Sequence, residues 1–242
     1  MTPFPALPPL TDRKHKLPLV ILQVAAIWIA SDIGFYFLMP ALQIQPTYNG
    51  ASTEISLYYI FWIGIAVITF WPVYRTWPAY GPRRTFENRT RSYLLWIAIY
   101  GIAVVFAGFV LPQLPAVGWK ETWQPPEFIM ATPNYFLPKS IDILFQQLLV
   151  LAFVLALAAD GLKLRTITLL CAAAFGGMHI LLAFGNEPVR YVVRFMVFAS
   201  LFGLVFPWLI LRVRNGLAIS YMLHWTYYAI SVALPHIFLR AQ

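Results

Sequence analysis

Several polar side chains stand in stretches that are otherwise apolar, and they are the residues best placed to do chemistry. In LFQQLLVLAF (144–153) Gln146 and Gln147 sit side by side, with Asp142 four residues before the first of them. An amide buried without a partner costs a few kcal/mol, so two adjacent ones require a reason. His179, His224 and Asp32 are isolated in the same way, each inside a different apolar run. Imidazoles and carboxylates in such places move protons, hold oxyanions or ligate metals; amides only bind. Helical spacing groups them: Asp142 with Gln146, Phe175 with His179, and His224 with Ser220, Tyr228 and, a turn on, Ser231. Arg190 and Arg194 form another pair, with Glu187, Asp142 and Asp32 as candidate counter-charges. They suit anchoring at the outer interface, or binding of a carboxylate or phosphate headgroup. Two histidines and a polar pair from three segments are expected to converge on one cavity.

The elements that must position these residues are membrane helices. Of 242 residues 60% are hydrophobic, 17% aromatic and only 11% charged, against about 25% charged in a soluble domain. The expectation is an all-α polytopic membrane protein. Seven stretches approach the roughly 20 apolar residues a bilayer requires: 17–39, 54–74, 92–112, 140–159, 166–185, 189–211 and 216–238. The fourth is expected to be the weakest, because Asp142 and both glutamines lower its hydropathy. With the N-terminus inside, 12 of the 17 basic residues fall on inner segments, and Lys120, Lys139, Arg190, Arg194 and Arg240 fall outside or near outer helix ends. That split predicts a plasma (inner) membrane protein with a cytoplasmic N-terminus and an external C-terminus. The apolar run after MTPFPALPPLTDRKHK reads as a retained first span rather than a cleaved leader. The connection 113–139, rich in Trp and Pro, reads as an interfacial segment. The net charge of +8 lies at span ends, so the bilayer and not nucleic acid is the expected partner. A lone Cys171 forms no intrachain disulfide. Ala172/Gly176 and Ala173/Gly177 make overlapping small-residue patterns suited to close helix packing.

The order glutamine pair, FGGMH (175–179) and GLAISYMLHWTYY (216–228) resembles the CAAX-protease and bacteriocin-processing family of intramembrane endopeptidases. That family carries EExxxR, then FxxxH about 30 residues on, then HxxxN or HxxxD after about 45 more. Here Gln147 to His179 is 32 residues and His179 to His224 is 45. The resemblance covers about residues 140–232. It implies a CAAX-protease-like core over 140–238, preceded by a cytoplasmic tail (1–16) and by helices and an interfacial loop (17–139). It also implies a glutamate base that activates water, a histidine that assists it, and a last histidine with its partner that stabilises the oxyanion.

Residue by residue, the glutamate pair corresponds to Gln146 and Gln147, the motif arginine to Leu151, and the last partner to Tyr228. Phe175, His179 and His224 match intact. An amide takes no proton from water, and losing a general base removes a factor of about 10² to 10⁴. The resemblance therefore implies an inactive or impaired relative acting as a membrane binding or regulatory protein. Phe175, Asp142, Arg190 and Arg194 are candidate ligand-binding residues, with a membrane-embedded or prenylated peptide as a candidate partner. The alternative is an active endopeptidase whose base is Asp142. A small transporter using Asp32, or a haem protein with two axial histidines, is a further alternative. No cofactor or metal is expected: a zinc site would want a third ligand, and Asp142 is the nearest candidate.

Overall fold

A computed structural model describes residues 17–80, 86–117, 128, 130–185 and 187–238. The tail 1–16, Arg83, Arg84, Lys120, Arg240 and positions 118–127 of the long connection lie outside the described residues.

Seven helices are long and apolar enough to cross a membrane, in agreement with the composition. They are α1 (Leu17–Ile33), α2 (Ser52–Tyr74), α3 (Phe86–Val105), α4 (Pro133–Ala159), α5 (Leu164–Met178), α6 (Val189–Arg212) and α7 (Gly216–Phe238). Helix α1 continues through a wide π turn (Gly34–Leu38) to Ala41, and α3 through a second (Phe106–Val110) to a 3₁₀ turn ending at Gln113. A 3₁₀ segment, His179–Gly185, prolongs α5. Side chains such as Leu22, Ile68, Phe109 and Val189 point outward. Apolar surface of that extent suits lipid rather than water.

The span limits agree with the sequence reading within a few residues, except at the start of the fourth. Helix α4 begins at Pro133 rather than 140, after the extended Thr132, with the proline at a position where its missing N–H costs nothing. Part of the expected interfacial segment is therefore helical, and Lys139 lies well inside α4 instead of at its end. Despite Asp142 and the two glutamines the fourth span is not the weakest, since its mean hydropathy of 2.3 exceeds the 1.2 of the seventh, and it is also the most enclosed. In α4 72% of the hydrophobic window is buried, against 22–50% in the others, and α4 touches α1, α2, α5, α6, α7 and the π turn that prolongs α3. Its polar residues are tolerated because protein, not lipid, surrounds them.

A second proline, Pro138, has no N–H for the carbonyl of Asn134, and Ser52 of α2 donates to that carbonyl at 2.9 Å. At its other end α4 stops at Gly161, whose φ of +83° suits a residue without a Cβ. The Gly161 and Leu162 amides return to the carbonyls of Ala158 and Leu157, a helix-ending pattern that leaves room for the turn into α5.

Helices α5 and α6 form the closest pair in the bundle. A Cβ added to Gly176 would meet Ser200 and, at 2.9 Å, the Met196 carbonyl; one on Gly203 would meet the backbone of Cys171 and Ala172. Nothing lies within 4 Å of a Cβ on Gly177. Of the two overlapping small-residue patterns, Ala172/Gly176 therefore makes the interface. With no hydrophobic drive between helices in lipid, such close backbone approach is a main source of association.

Candidate functional site

At one end of the bundle a cavity of about 1000 Å³ opens between the α1–α2, α3–α4 and α5–α6 connections, which contribute Asn49, Met130 and Glu187. Its floor is the N-terminal half of α4. Lys139, three residues before Asp142 and on the same face, places its Nζ 2.8 Å from Asp142 Oδ2. The Tyr48 hydroxyl donates to the same oxygen at 2.9 Å, and Gln146 Nε2 donates to Oδ1 at 2.9 Å. Both Asp142 oxygens are thus engaged. The lysine ammonium also lies 3.9 Å from the Tyr48 ring centroid and 4.7 Å from that of Tyr228, positions in which a cation is attracted to the ring face.

Around this floor stand Asp32, Trp28 and Phe35 from α1 and its π turn, Tyr59 from α2, His179 from the start of the 3₁₀ segment, and Tyr191 and Phe195 from α6. His179 Nδ1 faces the Phe175 carbonyl at 2.8 Å and must donate to it, so Nε2 is the nitrogen left for other partners. At the mouth, Glu187 is half buried, and burial raises its carboxyl above the ordinary range. Arg190, also lining the cavity, lies along the ring of its neighbour Tyr191.

The second glutamine and the second histidine lie beneath this floor. Gln147 is wholly buried and His224 nearly so, and neither lines the cavity. The Gln147 amide meets Ser220 Oγ at 2.8 Å on one end and His224 Nδ1 at 3.4 Å on the other. Ser220 has one proton and two acceptors within reach, since the Leu217 carbonyl is at 2.9 Å. If the amide is turned over, Gln147 donates to Ser220 and accepts from His224 Nδ1–H, and every proton is used once. Either way the glutamine is one hydrogen-bonded link between α4 and α7, beside the bonds that Tyr221 and Trp225 donate to Ser140. The His224 ring packs against Phe175, Phe202, Phe206 and Tyr228. The two imidazoles each meet the Phe175 ring nearly at right angles, with centroids 5.1 and 5.7 Å away.

The sequence-selected residues therefore divide. Asp142, Gln146, His179, Arg190, Tyr228 and also Asp32 share the cavity. Gln147, His224 and Phe175 form a packed layer below it, so the expected convergence on one space holds only in part. Arg194 points instead between α6 and α7, donating to Ser231 Oγ at 3.1 Å near the Tyr227 ring. The counter-charge of Asp142 is Lys139, not Arg190 or Arg194. By sequence Lys139 falls at the end of a span; the signal that finds it is its i, i+3 relation to Asp142 once α4 is extended toward its N-terminus. Tyr48 and Tyr59, 3.2 Å apart at their hydroxyls, are reached only by folding, since no local spacing links them to α4. Among the described residues no group of three or more His, Cys, Asp or Glu is arranged to hold a metal ion. No family model, curated protein or solved structure matches this chain.

Proposed function

We propose that the chain is a multi-pass membrane protein that binds a ligand in this cavity, on a CAAX-protease-like helical arrangement that lacks peptidase chemistry. The observation that carries the reading is the engagement of the two groups best placed to act as the missing base, the motif position Gln147 and its nearest substitute Asp142. Gln147 is an amide sealed under the floor, and Asp142 has one oxygen held by Lys139 and Tyr48 and the other by Gln146. A general base needs a lone pair within reach of the water it activates. A volume of about 1000 Å³ with aromatic walls and a few polar groups is, by contrast, the character of a ligand site.

The distribution of basic residues supports a plasma-membrane orientation with the N-terminus in the cytoplasm, which puts the cavity mouth outside. An active endopeptidase is the second reading, favoured by one fact: Asp142 and His179 line the same cavity.

Peptide termini separate the two. Host cells carrying the native protein, its His179→Ala variant or the Gln146→Glu, Gln147→Glu pair are compared by mass spectrometry at matched expression. Native and His179→Ala cells are expected to give the same termini. Products that appear with the native protein and vanish with His179→Ala would establish a peptidase and overturn the binding reading. Termini seen only with the restored glutamates would indicate that the family geometry persists around an amide.

A further inference from the structure

The cavity carries more acid than base. Its described lining holds Asp32, Asp142 and Glu187 against Lys139 and Arg190. Lys139 is committed to Asp142, and Asp32 forms no ion pair among the described residues. Asp32 lies at membrane depth, where a charge without a counterpart is costly. Its surroundings are aromatic: Trp28 one turn before it, Phe35 just after it, and Tyr59, which stacks on Phe35 at 6.1 Å. A second polar atom is also open. Gln146 lines the cavity, its Nε2 is spent on Asp142, and its Oε1 is buried with no donor. A carboxylate and an amide oxygen both call for N–H donors, and aromatic faces call for a cation. The chain already supplies an example, since the Lys139 ammonium sits between a carboxylate and two tyrosine rings in the same cavity.

We propose that the cavity binds a protonated primary amine, its ammonium on Asp32 with Gln146 Oε1 as a second acceptor and its carbon part against Trp28, Phe35 and Tyr59. The inference rests on the binding reading above and names its ligand class. A bare inorganic cation fits less well: a site of about 1000 Å³ is sized for an organic molecule, and no cluster of three metal-ligating residues surrounds Asp32 among the described residues. The amine has two possible sources, an aminoethyl lipid headgroup or a free amine in water, and the chemistry is shared.

The test is calorimetric titration of the full chain in phosphatidylglycerol nanodiscs, which contain no amine. Benzylamine, benzyltrimethylammonium, benzyl alcohol and benzenesulfonate are the probes. Benzylamine is expected to bind saturably and more tightly than benzyltrimethylammonium, which has no N–H, while the neutral and anionic probes bind weakly or not at all. Asp32→Asn should weaken benzylamine by about tenfold or more, and Asp32→Glu should restore much of the affinity. Gln146→Leu should cost about threefold to tenfold and erase the preference for the primary amine. Asp142→Asn should also weaken binding, because it releases Lys139 to neutralise Asp32.

Anionic lipid attracts cations to native and variant nanodiscs alike, so the difference between them is the readout. Asp32→Asn removes an unpaired charge, and its thermal unfolding should match or exceed that of the native chain. Adding phosphatidylethanolamine distinguishes the sources: a reduced apparent affinity assigns the site to the lipid headgroup, and an unchanged one to a free amine. Benzylamine binding that survives Asp32→Asn, or binding of none of the four probes, overturns the proposal. Binding of benzenesulfonate or benzyl alcohol in place of benzylamine also overturns it, yet leaves the cavity a binding site. Only the termini experiment overturns the binding reading itself.

Discussion

Lys139→Met is expected to destabilise the protein by about 3–5 kcal/mol, the usual consequence of removing one partner from a buried ion pair. The loss should be asymmetric. Without the lysine, Asp142 and Asp32 face one cavity with no ammonium between them, and Asp142 keeps only Tyr48 and Gln146 as donors. Asp142→Asn, in contrast, leaves Lys139 above the Tyr48 ring with Asp32 as a new counter-charge, and should cost only about 1–3 kcal/mol. Combining the two changes should be less damaging than their sum, because the second removes the charge that the first leaves unpaired. Equilibrium unfolding in mixed detergent micelles measures all three variants. If Asp142→Asn proves as harmful as Lys139→Met, or the double variant is additive, the pair is not what neutralises the floor.

The second large effect concerns the contact between α5 and α6. Gly203→Leu should cost about 3 kcal/mol or prevent accumulation of folded protein, since its Cβ would lie 2.7 Å from the Ala172 amide nitrogen, and backbone cannot swing aside as a side chain can. Gly176→Leu faces the Met196 carbonyl and should behave similarly. Gly177→Leu is the comparison that matters. It changes the next residue of the same helix in the same way, but points into open space, and should stay within about 0.5 kcal/mol of native. The same unfolding measurement separates them; leucine is a better helix former than glycine, so equal losses at 176 and 177 would mean that neither helix propensity nor the close contact sets the cost.

The helices were legible because length and apolar composition are local properties, and so was the shared face of Asp142 and Gln146, which now appears as a hydrogen bond. Depth was not legible. Gln146 and Gln147 are adjacent, yet one lines the cavity and the other is sealed beneath it, and that depends on how α4 is turned against α7. Lys139 closes the Trp- and Pro-rich stretch 113–139, which reads as an interfacial segment, whereas Ser52 on another helix satisfies the carbonyl that Pro138 leaves open and lets α4 run through it. Ala173/Gly177 and Ala172/Gly176 were equivalent on paper, and only the neighbouring backbone distinguishes them.

The close fit of α5 on α6 reaches beyond stability. His179, Glu187, Arg190, Tyr191 and Phe195 all belong to this hairpin or to its connecting turn, and together they make one wall of the cavity. Two helices whose backbones touch at Gly176 and Gly203 have no slack to move separately, because packed interfaces shift between discrete arrangements rather than deforming. The wall is thus one mechanical piece set against a floor on α4. Any change in the width of the mouth would carry all five side chains together past a stationary Lys139–Asp142 pair.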